Sequence, residues 1–116
     1  MPDILQEKSY RFALRIVKLS EFLAEEKKEF VLSRKVLDSG VNIGLLVEEG
    51  KQGESRTDFI QKYSVANKEA FKTNFLLRLI RDSDLINQAL AKSLLDDCEE
   101  LQRLLISSLK TTRKSE

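Results

Sequence analysis

The chain has 116 residues, 41% of them apolar and 34% charged, which suits one folded domain and excludes a disordered one. Lys plus Arg number 20 and Asp plus Glu 19, for a net charge of +1, so the basic excess from which a dedicated phosphate-backbone binder draws affinity is missing. There is no histidine and one cysteine, Cys98, which excludes histidine-dependent triads, His-Glu-x-x-His and Glu-x-x-His metal motifs and an intrachain disulfide.

Four helical segments follow in order. The first is predicted from about Ile4 to Lys27, capped by Asp3 with Gln6 three residues on in a capping-box pattern. Its core face is Phe12, Ile16, Leu19 and Leu23, at alternating spacings of four and three. The second is predicted from Val31 to Glu49, stopping at Gly50, with Lys51–Glu54 as a polar turn. The third starts after the N-cap Ser55, with Asp58 in its first turn, where the helix dipole favours negative charge. Phe59, Tyr63, Ala66, Ala70, Thr73, Leu77 and Ile80 form a coiled-coil-like seam. Asp82-Ser83-Asp84 breaks the pattern, and the last helix is predicted over Asn87–Thr111, with Leu94, Cys98, Leu101 and Leu105 inward and a frayed tail from Thr112 to Glu116.

Helices of roughly 20 residues, each roughly 30 Å long, joined by short connections, predict an all-α, antiparallel, up-down four-helix bundle spanning residues 1–116 as one domain. The start Met1-Pro2-Asp3 has no basic-then-apolar leader, and no apolar run approaches the ~18 residues of a membrane span. A reducing, cytoplasmic setting is expected.

The second helix is more apolar than one bundle needs. Leu32, Val36, Leu37, Val41, Ile43, Leu45, Leu46 and Val47 wrap most of its circumference, and Phe75, Leu76, Leu77, Leu79 and Ile80 do the same late in the third. A helix apolar nearly all round is buried on more than one side. The sharper reading is a subunit interface through Val36, Gly40, Ile43, Gly44, Leu46, Val47, Phe75, Leu76 and Leu79; the plainer one is a wide core. On the first reading, Ile43→Asp should dissociate an oligomer. Gly40 and Gly44 share one face and serve close helix approach, at a subunit contact or inside the bundle against Ala66 and Ala70.

Glu48 and Glu49 lie where a helix C-terminus disfavours negative charge, so a cation such as Arg56, Lys62 or Lys68 should compensate. Ion pairing is preferred over a metal or acid–base role, and no cofactor is implied. Lys68 and Lys72 share a face of the third helix, and Lys110, Arg113 and Lys114 make a basic end. They could contact nucleic acid or form a solvated surface, and the balanced charge favours the latter. Cys98 reads as a small buried hydrophobe.

Ser39-Gly40-Val41-Asn42-Ile43-Gly44, Val47-Glu48-Glu49 and Ser55-Arg56-Thr57-Asp58-Phe59-Ile60, followed by Ala66, Lys68-Glu69-Ala70, Thr73 and Leu77-Arg78-Leu79, resemble the bacterial four-helix bundle family first noticed as proteins encoded in intervening sequences of the 23S ribosomal RNA gene. The similarity runs from about Leu19 to Leu109. It implies a four-helix bundle that assembles as a homopentamer, without known catalytic activity. Some relatives are strongly basic accessory proteins of retroelements that bind nucleic acid and a reverse transcriptase; this chain, at +1, lacks that charge. It also departs from the family pattern at Asp38, Asn42 and Leu46, where many relatives carry arginine, serine and asparagine. The expected function is that of a non-enzymatic, self-associating scaffold or adaptor, with a nucleic-acid accessory protein as the alternative.

Overall fold

The computed structural model describes residues 3–114 and contains α1 (Ile4–Glu25), α2 (Val31–Lys51), α3 (Arg56–Asp82) and α4 (Gln88–Lys114). Each helix begins where a side-chain oxygen just ahead of it accepts from a backbone N–H that the first turn leaves unpaired. Asp3 Oδ1 accepts from Gln6 N at 3.0 Å, Ser55 Oγ from Asp58 N at 3.1 Å and Asn87 Oδ1 from Leu90 N at 2.7 Å. Phe30 cannot cap α2, so Glu29 Oε1 accepts from Leu32 N and Ser33 N instead. Gln6 does not complete the expected capping box; its amide donates across to Glu48 on α2 at 3.1 Å.

The helix ends differ from expectation in three places. α1 stops at Glu25 rather than Lys27, and Lys28 turns the chain with a left-handed φ of 53°. α2 runs through Gly50 to Lys51. A Cβ on Gly50 would stand 2.8 Å from the Tyr63 ring, so this glycine admits an aromatic side chain rather than stopping the helix. α4 continues to Lys114, with Thr112 Oγ1 donating to Ser108 O at 2.8 Å, so the expected fraying does not begin at Thr112; residues 115–116 lie outside the described range. The break at Asp82–Asp84 stands where predicted. Asp84 takes φ 59°, and Leu85 N donates back to Ile80 O at 3.2 Å, a Schellman-type closure.

The four helices pack in a cycle, α1 on α2, α2 on α3, α3 on α4 and α4 on α1, with α1 and α3 on the diagonal. Neighbours are antiparallel. Between α1 and α2, Ser20 meets Ser33, Ile16 meets Gly40 and Ser9 meets Gly44. Between α2 and α3, Ser39 meets Thr73, Asn42 meets Glu69 and Gly50 meets Tyr63. Arg15–Asp97 and Lys8–Glu100 bridge α1 to α4 at 2.6 and 3.1 Å. The described residues measure 48 × 24 × 21 Å and include no strand.

The predicted seams form the core. Phe12, Ile16, Leu19 and Leu23 are buried on α1, with Tyr63, Ala66, Ala70, Thr73, Leu77 and Ile80 on α3, and Leu94, Cys98, Leu101 and Leu105 on α4. Phe59 is only half-buried, its ring 4.0 Å from that of Tyr63. Cys98 Sγ donates to Ala70 O at 3.3 Å, and burial beside Glu99 and Asp97 pushes its thiol up to about 12. No described helix is long and apolar enough to cross a membrane.

Much of the α2 apolar surplus is internal, which corrects the predicted interface. Val36, Ile43 and Val47 are 0% exposed, and Gly40 and Gly44 are buried. A Cβ on Gly40 would meet Ile16 at 2.8 Å and one on Gly44 the Ser9 carbonyl at 3.2 Å. The two glycines therefore admit α1, not Ala66 and Ala70 of α3. Ile43→Asp would strike the core of a single chain. These five residues face inward because α2 lies between two neighbours and must present an apolar surface to each.

Candidate docking groove between the second and third helices

Three of the remaining predicted interface residues, Phe75, Leu76 and Leu79, line a groove of about 700 Å³ along the outer junction of α2 and α3. Its apolar lining is Leu32 from α2 and Phe75, Leu76 and Leu79 from α3. Leu76 is 6% exposed and forms part of the floor, whereas Phe75 and Leu79 are 53% and 39% exposed. Leu46 is half-buried against the core and does not line the groove. The helical period explains this division: Leu76, Leu77 and Ile80 turn inward, leaving Phe75 and Leu79, four residues apart, on the outer face.

Most of the polar groups beneath the rim are internally paired. Thr73 Oγ1 lies 2.9 Å from Ser39 Oγ and 2.8 Å from Glu69 O, and Asn42 Nδ2 donates to Glu69 Oε2 at 3.3 Å. Lys72 pairs with Glu69 at 3.1 Å, and Lys35 and Asp38 complete the rim. The rim thus carries both signs of charge, and covering the groove would not strand the polar groups beneath it. The Arg78 guanidinium lies over the Phe75 ring, 5.6 Å from its centroid. The sequence places Leu32, Lys35 and Asn42 on α2 and Glu69 on α3 without assigning any of them to a site. Periodicity within one helix does not show which flank of its neighbour it will meet.

The predicted ion-pair residues separate. Glu49 pairs with Lys62 at 3.8 Å, and Glu48 accepts from Gln6. Arg56 is exposed at the start of α3. Lys68 lies about 9 Å further along α3 than Lys62, near the Asn42–Glu69 contact, and is no partner for the Glu48–Glu49 end. Lys51 joins the cluster by pairing with Asp3. Burial pushes the Asp3 carboxyl up, but hydrogen bonds from Lys51 and the Gln6 N–H outweigh it and hold it below its ordinary value. Burial, with Asp3 and Glu48 nearby, pushes the Tyr63 hydroxyl up to about 12.

The basic residues also form two groups. Lys68 and Lys72 are exposed midway along α3, and Lys110, Arg113 and Lys114 are exposed at the end of α4. With Ala70 level with Cys98 and the helices antiparallel, the groups are roughly 15 Å apart along the bundle at their nearest. Among the described residues, no three acidic or cysteine side chains cluster in a way that could hold a metal ion.

The sequence profile of the family described as 23S rRNA-intervening sequence protein matches residues 3–107. A crystal structure of a protein of unknown function from the S23 ribosomal protein family of Bacteroides thetaiotaomicron is 42% identical and superposes with a TM-score of 0.91, covering 92% of this chain and 96% of that one. No curated protein matches the chain. The chain belongs to the 23S rRNA-intervening sequence protein family.

Proposed function

We propose that this member of the 23S rRNA-intervening sequence protein family is a non-enzymatic, self-associating scaffold or adaptor that assembles through the α2–α3 groove. The observation that carries the reading is the exposed pair Phe75 and Leu79 above the apolar floor of that groove. Two large apolar side chains exposed four residues apart over an apolar floor offer a surface that a partner's side chains could cover. The polar groups Ser39, Thr73, Asn42 and Glu69 are already paired, and rim charges of both signs suit a protein surface with equally mixed charge. The sequence resemblance implies five copies arranged in a ring. The nucleic-acid alternative is less supported, because the basic residues are divided between two places and Lys72 already faces Glu69.

The test is Phe75→Glu. The site is exposed, so the fold should change in stability by no more than about 0.5 kcal/mol. Sedimentation velocity should show the variant at the mass of one chain where the unaltered protein is larger. A folded variant that keeps the full assembled mass would remove the groove from the interface.

A further inference from the structure

We infer that the seam between α1 and α4 is an ionic latch, the place where a single bundle opens locally while its other three seams stay packed. Among the described helices, α1 and α4 are the one neighbouring pair that no loop joins, and they touch less than any other adjacent pair. A cavity of about 260 Å³ lies at their junction, lined by Phe12 of α1 and Leu101 of α4. Both are 1% exposed, so the core lies directly beneath this seam.

The other seams are tied from inside. Ser20 and Ser33 exchange buried hydrogen bonds between α1 and α2, where Gly40 and Gly44 also bring the helices close. Thr73 and Ser39 join α3 to α2 at 2.9 Å, and Cys98 of α4 donates to Ala70 O of α3 at 3.3 Å. Across α1–α4 the charged contacts are Arg15–Asp97 and Lys8–Glu100, whose side chains are 34–43% exposed. Arg11 also lines the cavity, but it pairs with Glu7 of its own helix at 2.6 Å. Exposed ion pairs are individually weak, and dissolved salt screens them. Local openings take the region with the fewest apolar contacts and the most exposed polar ties, which here is this seam.

The topology sets the direction of the motion. The connections 26–30 and 83–87 lie at the same end of the bundle, so α1 and α4 part from the opposite end, where Lys8–Glu100 is the outer of the two pairs. At that end Asp3–Lys51 and Gln6–Glu48 hold α1 to α2. α4 is therefore the helix that swings, pivoting on the 83–87 connection and on α3. Rising salt loosens the latch without reaching the buried ties of the other seams.

The experiment follows alkylation by uncharged iodoacetamide in full-length variants that carry Cys98→Ala and one new thiol. That thiol comes from Leu101→Cys, beneath the seam, or from Ile43→Cys, fully buried on α2. Each variant is checked for helical content, and its global unfolding is measured in urea. Ile43→Cys is expected to react at the rate its global unfolding allows. Leu101→Cys is expected to react at least about tenfold faster than its own global unfolding allows, because its open state is a local one. Salt at about 1 M should raise the Leu101→Cys rate further. Adding Arg15→Asp to that chain should raise it as well, and Asp97→Arg in the same chain should bring it back. A Leu101→Cys rate equal to that of global unfolding overturns the local opening. Ile43→Cys exceeding its own global unfolding by the same factor also overturns it, since the whole core is then loose. A fast Leu101→Cys rate indifferent to salt and to both charge changes overturns the ionic latch.

Discussion

At Gly50 a residue that reads as a helix stop lies inside the helix, because the Tyr63 ring occupies the space a Cβ would need. An alanine there gains helix propensity of roughly 1 kcal/mol, but an aromatic ring held on several sides cannot move aside as a flexible chain end can. Gly50→Ala should therefore lower stability by about 1–2 kcal/mol, read as a lower midpoint in urea with an unchanged slope. Tyr63 and Cys98 predict a pH dependence. Both groups are held protonated by burial, with values of about 12 against ordinary values of 10.0 and 9.0. Above pH 9 the unfolded chain therefore binds fewer protons than the folded one, and stability falls with rising pH. Their contribution is fully present below pH 9 and is lost progressively up to about pH 12. Thermal melts across this range should show the decline, and Cys98→Ala combined with Tyr63→Phe should flatten it.

At the scale of the helix, the seams of α1, α3 and α4 were legible because in each one apolar stripe recurs at spacings of four and three over most of its length. α2 was not legible in this way. It packs against α1 through Gly40 and Gly44 and against α3 through Ser39 and Asn42, so an apolar circumference signified two intramolecular neighbours before any subunit contact. The buried serines were a second unread signal. Ser20 and Ser33 exchange hydrogen bonds at 2.9–3.1 Å between α1 and α2. Polar residues on otherwise apolar faces can mark such a pair, but nothing local names the partner. The same distinction governs mutation. Ile43 is fully buried, and Ile43→Asp would place an unpaired carboxylate in the core at a cost of about 4 kcal/mol or more. The expected outcome is a large fall in melting temperature, not a folded, dissociated subunit.

For the molecule as a whole, the four-helix architecture followed from period, length and caps, because matched helices with short connections have few ways to bury their faces. The surface did not follow from the same pattern. Which exposed apolar residues form one patch depends on how neighbouring helices are rotated, and only the assembled bundle brings Leu32 of α2 beside Phe75 and Leu79 of α3. The family match over residues 3–107 and the close superposition on the Bacteroides protein concern this architecture. The central claim is that the groove is covered by another copy, and the most direct measurement is the solution mass by light scattering coupled to size exclusion. A mass well above one chain is expected, with five times the 13.4 kDa subunit for the closed ring. A mass of one chain at every loading concentration would contradict it.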